Sequence, residues 1–318
     1  MDEGSKRIIA ANAATFRQVT ESPFGPDDEI GMLNLISKEM AQDIGRRADF
    51  GHIIDMSVDY FVGMPSFTAA GQPNYQIWMT NTPRGTANDD PMGIGREESE
   101  LVSYSGDAFS MYTHTGTHID TLNHFGYHNK IWNGFDADEH LGNRVWDVCG
   151  PEKQPPIVGR GVMIDVAALH GVDVLPQSHG IGEKDLREAL TRQGTELRVG
   201  DIVMIRTGQM TLWPSQAYIQ NEAGLTREGA EFLARSGAAL IGADNLSLEQ
   251  IPSSEEGNWL PVHTYLMAEA GVTIMEVVDL EGLAREQLYE FAFVGAGLKL
   301  RGATAAPMRP MAMPLLSA

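Results

Sequence analysis

Six runs of β-branched and apolar residues punctuate this chain: HIIDMSVDYFV (52–62), VMIDVAAL (162–169), DIVMIRTG (201–208), AALIGADN (238–245), GVTIMEVV (271–278) and FAFVGAGLKL (291–300). Such runs favour strands, and most end in a turn residue or an acidic one. Around them lie stretches with helix signals: 37–48 behind Ser37, 183–193, 226–236 with Thr226 as N-cap and Gly237 just past the end, and 279–290. Strands and helices interspersed in this way predict a mixed α/β fold. A length of 318 residues permits one large domain or two ordinary ones, and no repeat or Ser/Gly-rich linker divides it.

Composition narrows the partners. Hydrophobic residues make up 42% and charged residues 21%, which suits a globular core. Acidic residues outnumber basic ones 43 to 23, spread along the chain, so the summed field repels phosphate backbones and anionic membrane surfaces. Neither nucleic acid nor a membrane is an expected partner. Cys149 is the only cysteine, which excludes an intrachain disulfide and every multi-cysteine metal site and leaves nitrogen and oxygen as metal ligands. In VWDVCGPE it reads as a small buried hydrophobe. MDEGSKRIIAANAATFRQ has no apolar segment of signal-peptide length, and no run reaches the roughly 18 apolar residues of a membrane span, so a cytoplasmic location is expected.

Residues 63–110 are rich in Gly, Pro, Asn, Asp and Ser and read as a long loop. Phe67, Tyr75 and Trp78 within it suggest a pocket wall or a subunit contact, with plain surface packing as the alternative. No GxSxG, GxxxxGK[ST] or GxGxxG occurs, and GIG (93–95) and GRG (159–161) read as turns. Asp244, in IGADN, reads as a turn or capping residue that a strand end could also bring near a site.

The chemistry concentrates in HTGTHIDTLNHF, where His114, His118, Asp120 and His124 fall within twelve residues, 114–125. In a helix His114 and His118 would lie one turn apart, but Thr115, Thr117, Ile119 and Gly116 oppose a helix. On a strand His114, His118 and Asp120 share a face, yet a straight strand sets the two histidine α-carbons about 13 Å apart. Gly116 resolves this: it can adopt backbone angles closed to other residues and bend the chain so that both imidazoles reach one ion, and its missing side chain leaves room for the metal. Asp120 then completes a two-histidine, one-carboxylate set with open positions for water or substrate. Hydrogen-bonded histidines without a metal remain the alternative from spacing alone.

The same stretch resembles HxGTHxDxxxHF, the motif of the metal-dependent cyclase-like hydrolases, which include bacterial kynurenine formamidase and isatin hydrolase. FGPDDEIGMLNLI (24–36) resembles their WGPDDxIGxLN, with Phe24 in place of tryptophan; GDIVMIRTG (200–208) resembles GDxVLxRTG. GATAAPMRPMAM (302–313) resembles GxTGSPVRPxA, with Ala305 and Ala306 replacing Gly-Ser. Matches from 24 to 313 point to a single domain over 1–318, with 1–50 as an N-terminal extension packed on it.

The resemblance implies a swivelling β/β/α cyclase-like fold with a barrel-like mixed sheet and flanking helices. It implies His114, His118 and Asp120 as metal ligands and His124 as general acid/base, a role that suits an imidazole just past the ligands. His128 matches no family position and reads as a surface residue or a partner to one of the ligands. VHTYLMAEAGVTIMEVV resembles HxxLLxxGIxIxE, which in formamidase-like members supplies a second metal's ligands; His263 and Glu276 would take those places, although one residue more separates His263 from Gly271 here. His263 reads equally as a substrate contact and Glu276 as a partner to a ligand. One or two divalent ions, Mn²⁺ or Zn²⁺, are thus expected. The implied reaction is hydrolysis of a small amide, linear formamide or cyclic amide, with a catalytically silent metal- or ligand-binding protein as the alternative. Phe67, Trp78 and Trp132, with Trp259, are candidate substrate-binding aromatics. A homodimer or homotetramer is expected.

Overall fold

Ser37 caps the first of the expected helices: its hydroxyl accepts from the Met40 N–H and Lys38–Arg47 follows. In the computed structural model, which describes residues 17–220 and 222–317, the 183–193 expectation is met by Glu183–Gln193. Thr226 caps Arg227–Arg235 by accepting from the Gly229 N–H.

The strands in chain order are β1 (Ile54–Asp55), β2 (Gln76–Asn81), β3 (Gly106–Ser110), β4 (His118–Asp120), β5 (Ile157–Asp165), β6 (Gly180–Ile181) and β7 (Ile202–Arg206). They continue with β8 (Gly224–Leu225), β9 (Leu240–Ala243), β10 (Thr273–Glu276), β11 (Glu290–Gly295), β12 (Ala305–Pro307) and β13 (Met311–Pro314). Nine of them form one mixed sheet, curled into a half-barrel, in the order β1-β13-β11-β5-β7-β9-β10-β4-β12. Its centre, β5 to β10, is parallel and buried on both faces, which is why these strands read as unbroken apolar runs rather than alternating ones. Along β7 the pleat sends Val203 and Ile205 into a core shared with the Glu183–Gln193 and Arg227–Arg235 helices. Ile202 and Met204 go instead to a second core containing Met163, Met275, Phe291 and Phe293.

Five expectations change. Gly159-Arg160-Gly161, read as a turn, lies inside β5, where the absence of side chains at the two glycines lets Ile202 and Phe291 pack against the strand. Only Ile54–Asp55 of 52–62 pairs in the sheet; beyond it the chain is held by single bonds, the Met56 N–H donating to the Pro310 carbonyl at 3.0 Å and the Val58 N–H to Thr117 Oγ1 at 2.9 Å. Residues 166–169 are helical because Asp165 caps Val166–His170, accepting from the Ala168 N–H. The helix expected over 279–290 is confined to Glu281–Glu286. Residues 63–110 are not a plain loop: the antiparallel pair β2 and β3 brackets helices Pro83–Asp89 and Arg96–Val102, the first started by Thr82 as N-cap and Pro83 behind it. Among the described residues no helix is long and apolar enough to cross a membrane.

Candidate metal centre

β4 sits between β10 and β12, both antiparallel to it. Its register puts Glu276 beside His118 and Ile274 beside Asp120, while on the other edge Ala305 and Pro307 face Asp120 and His118. The pleat then turns His118 and Asp120 to one side and Ile119 to the other, into the second core. Thr273 on β10 donates to the Asp120 carbonyl, tying the two strands at the aspartate.

His114 lies before β4 and is brought back by a bend at Gly116, whose φ is +63°. This is the left-handed conformation that favours glycine. The His114 and His118 rings consequently stand 5.3 Å apart, centroid to centroid. The space a Cβ would need at Gly116 is filled by Tyr60, 2.7 Å from Cζ, whose hydroxyl donates to the Thr117 carbonyl at 2.8 Å. The missing side chain therefore makes room for a tyrosine, not for an ion.

Two histidines show the same arrangement. His118 Nδ1 lies 2.8 Å from the Gly116 carbonyl, which can only accept, so that nitrogen carries the proton and Nε2 is turned to Asp120 Oδ1 at 3.2 Å and Glu276 Oε2 at 3.3 Å. His263 Nδ1 lies 2.5 Å from Glu249 Oε1, and its Nε2 faces Glu276 Oε1 at 3.2 Å and Asp120 Oδ2 at 4.0 Å. Tying one imidazole nitrogen to an oxygen so that the other is presented as a lone pair is how proteins orient metal-ligating histidines. His114 Nδ1 is 2.7 Å from Asp120 Oδ1, its Nε2 pairs with Thr304 Oγ1 at 2.9 Å, and its ring stacks on Tyr112. Despite these short approaches, both Asp120 oxygens, His118 Nε2 and Glu276 Oε1 are buried without an aligned hydrogen-bond partner.

Buried polar atoms without partners are expensive, and here they converge on one volume. The pocket's electrostatics state the same demand. Burial alone would lower the His118 pKa, but Asp120 and Glu276 beside it push it up to about 10. Burial likewise works against a charged His263, and Glu249 and Glu276 raise it to about 10. Asp120 runs the other way: burial would raise it, but His114, His124 and His118 hold it well below the ordinary carboxylate range. The cluster is built around positive charge, and its N/O donor set suits a divalent metal ion. Ligand atoms of His114, His118 and Asp120, and of Asp120, His124 and His263, fall within 4.8 Å of one another as two sets sharing the aspartate.

His124 stands apart. It is partly open, with Nε2 3.9 Å from Asp120 Oδ2, its ring over His114 and edge-on to Phe125. Burial, reinforced by neighbouring His114, pushes its pKa well below that of a free imidazole. An imidazole at the rim of such a cluster is placed to take up and return a proton.

Phe67 and Trp78 are exposed, Trp78 on the β2–β3 pair. Trp132 is fully buried; its indole N–H donates to Asp28 at 3.0 Å and its ring fills the space above Gly271, so it is committed to packing. The aromatics that do touch the cluster are Tyr112 against His114 and Phe125 against His124 and His263, with the largely exposed Trp259 next to Phe125. His128 is exposed. Asp244 holds a turn, accepting from Thr207 N–H and Oγ1 and from the Gly208 N–H. Cys149 is fully buried and burial pushes its thiol pKa up, which keeps it inert.

The residue added between His263 and Gly271 has a structural counterpart. Thr264–Glu269 forms a π-helical turn directly after His263. A π-turn accommodates one residue more than an α-turn, so His263 and Glu276 still converge.

Comparison with known proteins places this geometry. Over residues 54–250 the chain matches the model of the family described as "Putative cyclase". It is 22% identical over 263 residues to cyclase-like protein 3 of Oryza sativa subsp. japonica, covering 81% of this chain and 78% of the rice protein. A crystal structure of a novel cyclase superposes with a TM-score of 0.80 at 25% identity, covering 93% of this chain and 99% of that one. Isatin hydrolase A from Labrenzia aggregata, bound to benzyl benzoate, superposes with a TM-score of 0.60 at 17% identity over 83% of this chain and 94% of its own, a likeness of fold. With its histidine stretch and the strands from β1 to β9 inside the matched region, this chain belongs to the cyclase family.

Proposed function

We propose that the chain is a metal-dependent hydrolase that cleaves the C–N bond of a small amide, either a linear formamide or a cyclic amide opened to a carboxylate. The observation that carries this reading is the pair of buried imidazoles, His118 and His263, each held by an oxygen at Nδ1 and presenting Nε2 to Asp120 and Glu276, of which both Asp120 oxygens and Glu276 Oε1 have no aligned hydrogen-bond partner. His114, His118 and Asp120, joined by His263 and Glu276, would hold one or two divalent ions, Mn²⁺ or Zn²⁺. Such an ion supplies a water of lowered pKa and an electrophile for the amide carbonyl.

The chain's own residues supply the rest. His124 takes a proton from the attacking water and returns it to the nitrogen as its bond to the carbonyl carbon breaks, so that a formamide releases an amine and a cyclic amide opens to a product carrying both amine and carboxylate. Tyr112 and Phe125 fix the imidazoles of His114 and His124 by ring contact and offer an apolar wall to the substrate. The cyclic branch draws support from the fold shared with isatin hydrolase A, since isatin carries a cyclic amide. Ile77, Trp78, Met79, Leu101, Val102 and Phe109 give the β2–β3 excursion an exposed apolar surface, which favours a homodimer or homotetramer built through it. A cytoplasmic location belongs to the same reading, in keeping with a free thiol at Cys149.

The test is turnover of N-formyl arylamines and isatin-type lactams by chelator-treated protein with Mn²⁺ or Zn²⁺ restored. Asp120→Asn and His124→Ala are each expected to lose about 100-fold or more. If both leave turnover unchanged, the mechanism is wrong. Metal uptake without hydrolysis of any amide would favour the silent binding protein instead.

A further inference from the structure

Away from this cluster a second set of metal-ligating side chains converges, one that the proposed hydrolysis does not use. His170 ends the Val166–His170 helix, His179 directly precedes β6, and Asp185 lies in the first turn of Glu183–Gln193. His170 Nε2 is 3.3 Å from Asp185 Oδ1 and His179 Nε2 is 3.0 Å from Oδ2. The two rings meet edge to face, 5.0 Å between centroids, and one ligand atom from each of the three side chains falls within 4.8 Å of the others.

We propose that His170, His179 and Asp185 form a second cation site, selective for a borderline-soft divalent ion of the zinc type and independent of the catalytic centre. The spacing argues for it. Metal–ligand bonds of about 2.0–2.2 Å place neighbouring ligands of a tetrahedral ion about 3.3 Å apart, and the two nitrogen–oxygen distances already stand close to that edge. Both histidines turn the same nitrogen to one carboxylate, in hydrogen bonds that an ion would replace, and among the described residues no lysine or arginine pairs with Asp185. With only neutral imidazoles against it, its charge is left for a cation held between the two rings. The side chains are 37, 26 and 17% exposed, so an ion can enter and keep water in its remaining positions, and a chain of net charge −20 draws cations to its surface. Two imidazoles and one carboxylate favour zinc over magnesium or calcium. Bound there, the ion fastens the end of one helix to the start of the next across residues 171–182, and because it binds only the folded chain it raises stability.

Equilibrium dialysis of the full chain against Zn²⁺ alone, with bound zinc counted per chain, tests the site separately from the catalytic reading. Wild type should hold one more zinc than either His170→Ala or Asp185→Asn. Asp120→Asn, altered at the other cluster, should keep this ion. Zinc should raise the melting temperature of wild type more than that of His170→Ala, whose amide turnover should be that of wild type. Equal zinc counts in wild type and both variants, each folded by circular dichroism, would overturn the proposal, as would an Asp120→Asn protein that binds no zinc at all.

Discussion

Replacing Gly116 by alanine tests the bend on which the centre depends. At φ +63° an L-residue pays about 1–2 kcal/mol for its Cβ. The new methyl would also stand 2.7 Å from Tyr60 Cζ, where about 3.5–4.0 Å is needed, so the ring must move by roughly 1 Å. That movement puts at risk the hydrogen bond from the Tyr60 hydroxyl to the Thr117 carbonyl, worth about 1 kcal/mol. Together these give a destabilisation of about 2–4 kcal/mol. The Gly116 carbonyl also holds His118 Nδ1, so a tilt of that peptide turns the imidazole, and a 1 Å misplacement can cost about 100-fold in rate. Urea unfolding of Gly116→Ala, Tyr60→Ala and the double variant separates the contributions. Removing the tyrosine relieves the clash, so the double variant should be less destabilised than the sum of the singles by about 1–2 kcal/mol. A Gly116→Ala protein within about 0.5 kcal/mol of wild type, or strictly additive variants, would refute the reasoning.

Two further outcomes follow from groups that receive no motif. Glu249→Gln replaces a carboxylate that takes the His263 Nδ1 proton and the N–H groups of Val262 and His263; metal affinity or turnover should fall about 10–100-fold, read by titration calorimetry and steady-state kinetics. Glu222 is buried, and burial, opposed by the Leu246 N–H and aided by Glu276, raises its pKa to about 8. A folded pKa above the unfolded value near 4.5 means the native state holds the proton longer, so this group lowers stability as pH rises from about 4.5 to about 8. Both backbone bonds to Glu222, from Leu246 and Ser247, go to one oxygen that glutamine retains. Glu222→Gln should therefore match wild type near pH 4.5 and exceed it by several kcal/mol above pH 8, measured by urea unfolding in EDTA. Parallel pH curves for the two proteins would contradict this.

Much of the fold is written locally. Ser37 and Thr226 start helices because their hydroxyls reach the N–H three residues on, and the buried parallel strands announce themselves as apolar runs. The 63–110 region misleads because its Gly, Pro and Asn mark the breaks between short elements rather than an absence of elements, with Thr82-Pro83 starting a helix inside it. Gly116 is legible as a bend, but what it makes room for is not, since Tyr60 arrives from fifty-six residues earlier in the chain. His114, His118, Asp120 and His124 are visible together because one stretch holds them. His263 and Glu276 need the π-turn after His263 and the β4–β10 register to converge. Glu249 and Thr304 carry no local signal of their own; only the folded chain brings them to His263 and His114. Trp132, chosen for its aromatic bulk, is spent on the Asp28 hydrogen bond and the Gly271 contact.

Asp120, with His114, His118, His263 and Glu276, is proposed to hold a cation. Manganese affinity of the chelator-treated protein tests it most directly, in wild type and in Asp120→Asn, which keeps the side-chain shape and removes the charge. Wild type is expected to bind tightly and the variant at least about 100-fold more weakly, with the fold intact by circular dichroism. Equal manganese affinity in the two proteins would contradict it.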